Sequence, residues 1–121
     1  MSLNKKFRLS ANDMKPLATG RGSCYASDYI TVEGCKVGYM YREDPGSSTG
    51  NVTDSGWRFF SGQESQEYVD NPANLAIYDV NTIANYDPGI IKHLSAEFGK
   101  AFARAENGEF IEERASTEED I

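Results

Sequence analysis

Histidine occurs once in this 121-residue chain, at position 93, and cysteine twice, at positions 24 and 35. A tetrahedral metal centre takes three or four ligands at recognisable spacings. Cys24, Cys35 and His93 show no such spacing, so neither a metal nor a cofactor is expected. The same scarcity argues against nucleophilic catalysis. A cysteine nucleophile needs a histidine base and an orienting group, and nothing beside Cys24 or Cys35 supplies them. Ser55, in Asp54-Ser55-Gly56, lacks the paired glycines of a nucleophile elbow and is read as tightening the entry to a strand. The chain is therefore not read as an enzyme. Long apolar runs are missing too. None approaches the roughly 18 residues that cross a bilayer, and the initial MSLNKKFRLS has no apolar segment or cleavage site of a secretory signal. A cytoplasmic protein without a membrane partner is expected, its cysteines placed on neighbouring strands as reduced thiols.

Clustered positive charge is also absent. Twelve basic residues face nineteen acidic ones, for a net charge of −7. Lys5, Lys6 and Arg8 sit near the start, and from residue 109 onward six acids face only Arg114. A nucleic-acid backbone requires a basic stripe, so it is not favoured as a ligand. A basic protein partner is compatible, because opposite fields steer encounter. The plainer reading is that mild acidity keeps the chain in solution. The 39% hydrophobic content suits one α+β domain over residues 1–113, followed by an acidic, disordered tail at 114–121.

What the chain does have is aromatic alternation. Residues 36–62 read KVGYMYREDPGSSTGNVTDSGWRFFSG. Val37, Tyr39 and Tyr41 alternate with Gly38, Met40 and Arg42, and Trp57 and Phe59 alternate with Arg58 and Phe60. Both runs have the period of two that marks a strand. Residues 44–55 between them hold one proline, two glycines and little apolar bulk, and predict an exposed loop. Further strands are expected at 7–9, 24–27, 29–32 and 75–80, the last with Leu75, Ile77 and Asp79 on one face. An edge strand is expected at Phe110 and Ile111. Short helical turns are expected after Ser10, over 64–69 and over 81–86. Asp87-Pro88 reads as the cap and first residue of a long C-terminal helix over 88–106. Its apolar stripe would be Ile91, Leu94, Phe98, Phe102 and Ala105, with His93 and Glu97 paired on its surface and Asn107-Gly108 as its stop. The architecture expected is an antiparallel sheet of four to six strands packed on this helix.

Three blocks, KVGYMYRE, DSGWRFF and YVDNPANLAIYDVNTIANYDPGII, resemble the immunity protein 33 domain family. The resemblance spans roughly residues 22–94. It implies a bacterial protein whose partner is the toxin of a polymorphic toxin system, and it carries no site residues across.

Two functional readings follow. In the first, the chain inhibits a cognate toxin by stoichiometric binding, covering a basic active-site cleft. Interfaces favour aromatics and arginine inside a charged rim, which points to Arg42, Glu43, Asp44, Asp54, Trp57 and Arg58. In the second, Tyr39, Tyr41, Trp57 and Phe59 form a stacking platform for a small ligand or single-stranded nucleic acid. The alternative to that platform is that these rings form the core of the sheet. Exposure of Trp57 separates the two.

Overall fold

The computed structural model describes residues 6–45 and 54–113. The expected tail at 114–121 and most of the expected loop, residues 46–53, lie outside them. Six strands form one sheet: β1 (Ser23–Ser27), β2 (Tyr39–Arg42), β3 (Asp54–Phe60), β4 (Leu75–Asp79), β5 (Ala101–Arg104) and β6 (Phe110–Glu113). Their spatial order is β4-β1-β3-β2-β5-β6. The sheet is mixed rather than antiparallel throughout, because β1 runs parallel to β3. All other neighbours are antiparallel.

Register assigns the side chains to two faces. Tyr39 lies opposite Phe60, Met40 opposite Phe59, Tyr41 opposite Arg58 and Arg42 opposite Trp57. Residues directly opposite share a face, so Met40, Trp57 and Phe59 point together to one side. Phe102 joins them from β5, and Cys24 and Ala26 from β1. These side chains, with Ile30, Ile83, Ile90 and Leu94, form the core.

The covering layer is short helices. α1 (Asp28–Thr31) replaces the strand expected at 29–32. Ser27 caps it by accepting from Tyr29 N, and Ile30 and Thr31 are buried beneath it. α2 (Gln66–Asp70) agrees with the expected turn but lies beside the other face of the sheet and buries no residue. α3 (Val80–Tyr86) starts at the Asp79 cap and buries Val80, Ile83 and Ala84. It ends because Pro88 disfavours helical backbone at the preceding residue, and Asp87 is extended, at φ −150° and ψ 90°. Residues 7–9 are not a strand. They belong to a strap that crosses this layer, with Arg8 N donating to Thr31 O. Asn81 Oδ1 accepts from Leu17 N and Ala18 N, and Asn81 and Asn85 both donate to Lys15 O.

The long C-terminal helix does not form. Asp87 and Pro88 do begin a helix, but it is a 3₁₀ helix over Pro88–His93. The chain then turns at Gly99, whose φ of +94° is the left-handed conformation that glycine adopts freely. Residues 101–104 enter the sheet between β2 and β6. Phe102 reaches the core by strand alternation, while Phe98 is 51% exposed. Asn107-Gly108, expected to stop a helix, instead makes the β5–β6 turn, with Gly108 at φ +90°.

Candidate protein-binding face

Opposite the core, the sheet presents a face that the helical layer does not cover. By register it carries Ile77 on β4, Tyr25 on β1, Arg58 and Phe60 on β3, Tyr39 and Tyr41 on β2, and Ile111 on β6. Ile77 is 59% exposed, and Tyr25 and Ile111 are exposed as well. The Tyr41 and Phe60 rings stack at 6.1 Å between centroids. Beside them α2 rises over the sheet and leaves an open groove of 520 Å³ lined by Tyr39, Tyr41, Phe60, Gln66, Val69 and Ala103. Glu64 shapes its end. Its carboxylate accepts from Ser61 N at 2.8 Å, Gly62 N at 2.9 Å and Ser27 Oγ. Partial burial would raise the Glu64 pKa, but these donors outweigh it and hold the carboxyl below its usual value.

Arg58 occupies the centre of this face and is 7% exposed. Its Nε meets Glu43 Oε2 at 2.7 Å, and its two terminal nitrogens meet both Asp54 oxygens at 2.9 Å. The Tyr25 ring lies 4.6 Å from its guanidinium carbon. Burial alone would ease the proton off Arg58, but the hydrogen bonds to Asp54 and Glu43 outweigh it and keep the group charged. Four residues of regular strand span about 13 Å, so Asp54 and Arg58 meet only because β3 is bulged. Ser23 pairs with Asp54 and Tyr25 with Arg58, leaving extra residues on β3. Gly56 sits in the bulge at φ +90°, where a Cβ would lie 2.2 Å from Glu43 O.

The electrostatic character of the face is negative. The Arg58 cluster holds two carboxylates against one guanidinium, and Asp79 and Glu113 share its side of the sheet. The tyrosines register this field. Burial raises the Tyr39 pKa and Glu113 adds to the effect. Burial raises Tyr41, with Glu43 adding and Arg58 opposing. Tyr68, on α2, is pushed up to about 12 by burial and by Asp28, Tyr29, Glu64 and Glu33.

Of the residues singled out from the sequence, the structure brings Glu43, Asp54 and Arg58 together here. Asp44 follows as an exposed residue beyond β2. Arg42 and Trp57 lie on the other face. Trp57 is 1% exposed, and its Nε1 donates to Leu94 O at 3.2 Å, so its ring offers no surface to a partner. The stacking platform is thereby divided: Trp57 and Phe59 are core, and only Tyr39 and Tyr41 face outward. Tyr25, Ile77, Ile111 and the α2 groove were not singled out from the sequence, although the Leu75/Ile77/Asp79 alternation does place those three on the open side. Cys24 is buried on β1 and Cys35 is half-buried in the loop after α1, both as free thiols and not on neighbouring strands. Burial, then Asp79, pushes the Cys24 thiol up. Among the described residues no helix is long and apolar enough to cross a membrane, and no group of three potential ligands converges on a metal position.

Compared with known proteins, the Immunity protein Imm33 domain matches residues 24–114, from β1 through the end of β6. The chain belongs to the Imm33 family. The match therefore covers both faces of the sheet and the helices over its core. No curated protein and no solved structure matches the chain.

Proposed function

We propose that this Imm33 protein neutralises a bacterial protein toxin in the cytoplasm by stoichiometric binding, without catalysis, and that the open sheet face makes the contact. The observation that carries this reading is the uncovered apolar face: Ile77, Tyr25 and Ile111 are exposed on one side of a sheet whose other side carries the core. Exposed apolar side chains on an uncovered sheet face mark interaction sites. Aromatic anchors with a charged rim are the composition of an interface. The rim here is acidic, which suits a toxin with a basic substrate cleft and disfavours nucleic acid, whose phosphates the same field repels.

The test is co-expression with a toxin encoded beside this chain, followed by capture and binding kinetics. Ile77→Asp and Tyr25→Ala should raise the off-rate and reduce protection of the cell, as truncated interface anchors do, with unfolding midpoints close to the parent. Full protection and unchanged kinetics in both variants would move the interface off this face.

A further inference from the structure

On the helix-covered side of the sheet, away from the binding face, a polar pocket of 390 Å³ opens between the turn before β1 and the ends of β2 and β3. Thr19, Gly20, Arg21, Arg42, Ser55 and Trp57 line it. We propose that this pocket binds a phosphate group held between Arg21 and Arg42. The inference goes beyond toxin binding and does not depend on it.

The argument begins with the company each cation keeps. Arg58, Lys92, Lys100 and Arg104 all have a carboxylate within 4 Å. Lys6, Arg8, Lys15, Arg21 and Lys36 show none among the described residues but are exposed, whereas Arg42 shows none and is half-buried. Its hydrogen bonds go to carbonyls, Nε to Ser55 O at 2.8 Å and one terminal nitrogen to Ala96 O at 2.7 Å. The Trp57 and Phe98 rings lie 5.9 and 4.7 Å from its guanidinium carbon. The group is thus fixed in place and partly desolvated with no counter-charge. The charge that acts on it is a like one: burial first, then Arg21, work against its protonated form. Residues 46–53, which lead into β3, contain no charged side chain.

Two guanidiniums converging without a carboxylate repel each other until an anion arrives. Arg42 is half-buried and Arg21 exposed, so an anion between them offsets their repulsion and the partial desolvation of Arg42. The remaining N–H groups of Arg42 meet no acceptor among the described residues. Arg21 reaches only Ser95 Oγ, at a long 3.4 Å. Ser55 Oγ already accepts from Trp57 N at 3.1 Å, so its own hydrogen is available to a ligand. Gly20, at φ +77°, has nothing within 4 Å of its Cβ position, which leaves the backbone accessible. Guanidinium forks match phosphate oxygens in pairs. The charge of a phosphate, about −1.5 to −2 at neutral pH, comes nearer to balancing two arginines than the single charge of a carboxylate does.

The probe is inorganic phosphate, titrated into the full chain at constant ionic strength with chloride or acetate as matched controls. Trp57 is the only tryptophan and lines the pocket, so its emission reports occupancy directly. Thermal unfolding reports it independently through ligand-linked stabilisation. A saturable emission change and a higher midpoint in phosphate than in either control are expected. Arg21→Gln should weaken the apparent affinity by about tenfold or more, the scale of lost charge-assisted hydrogen bonds. Arg42 also braces Ser55 and Ala96, so its variants test folding as well as binding. Arg21, which makes a single long hydrogen bond among the described residues, is the deciding position. No saturable response beyond chloride, or an undiminished one in Arg21→Gln, overturns the site. An equal response to acetate overturns the assignment to phosphate.

Discussion

Asp87 and Arg104 meet at 2.6 Å between Oδ2 and a terminal guanidinium nitrogen, joining the end of α3 to strand β5 across the lower edge of the core. Asp87 is 3% exposed and also accepts from Val37 N and Gly89 N, each at 3.0 Å. Arg104 donates in addition to Val37 O and Gly108 O, both at 2.9 Å. One buried ion pair therefore sets four backbone segments relative to one another.

Removing Asp87 leaves the half-buried Arg104 unpaired and the Val37 and Gly89 N–H groups without their acceptor, so Asp87→Ala should cost about 3–5 kcal/mol. The double variant Asp87→Leu/Arg104→Met should not recover it, because the Val37 and Gly89 N–H groups still lose their acceptor. Urea unfolding measures both. Recovery to the parent midpoint in the double variant would reduce Asp87 to a partner of Arg104 alone.

Trp57 and Phe98 flank the same guanidinium from different environments, which separates burial from stacking. Trp57→Ala should cost about 3–5 kcal/mol as a large-to-small core change. Phe98→Ala should stay within about 1 kcal/mol, the range of an exposed residue that also forms a cation–π contact. Equal losses would contradict the placement of Phe98 outside the core.

His93 packs against Phe102 and Phe110 at 4.8 and 5.5 Å between ring centroids, and its buried Nε2 has no hydrogen-bond partner among the described residues. Burial, then Lys92, lowers its pKa, with Glu109 opposing. The unfolded chain therefore takes up this proton first as pH falls. Stability should be fully present above the unfolded histidine value of about 6.5 and decline as pH drops through it. His93→Phe should remove that part of the acid dependence and leave the loss below about pH 4, where carboxylates protonate. An unchanged profile between pH 7 and 5 would show that His93 titrates normally.

Charge steering is best tested away from Arg58. Asp54→Asn weakens the bidentate partner of a buried guanidinium and should lower stability by 1 kcal/mol or more, roughly, so it cannot report on steering alone. Asp79 and Glu113 are exposed on the same face. Asp79→Asn with Glu113→Gln should slow association with the toxin and flatten its salt dependence, with little change in off-rate. Asparagine at 79 keeps the cap on α3. An unaltered on-rate at low salt would remove these carboxylates from the encounter.

The bulge in β3 supplies a structural test of the Arg58 cluster. Gly56→Ala imposes a strained positive φ and a contact with Glu43 O, and should cost about 1–3 kcal/mol or more. Ile77→Ala, on the open face, should stay within about 0.5 kcal/mol. Chemical denaturation of the two variants makes the comparison, and a Gly56→Ala protein as stable as the parent would mean that the bulge is dispensable.

Much of the sheet was determined by local sequence. The alternation around Tyr39–Tyr41 and Trp57–Phe59 specified two strands and sorted Trp57 from Arg58, because side chains two residues apart share a face whatever the partner strand. Asp87-Pro88 specified a helix start, because cap and proline act through their own backbone, whereas Asn107-Gly108, read as a helix stop, makes the β5–β6 turn. The sequence could not decide what lay between them. Leu94, Phe98 and Phe102 fit a helical stripe equally well, but residues 101–104 pair with β2, 60 to 64 residues back, and with β6, 6 to 12 residues ahead. Only the tertiary structure brings those partners together. The parallel β1–β3 pairing, the bulge that lets Asp54 grip Arg58, and the convergence of Arg21 with Arg42 have the same origin: each depends on segments distant in the chain, so no local pattern encodes it.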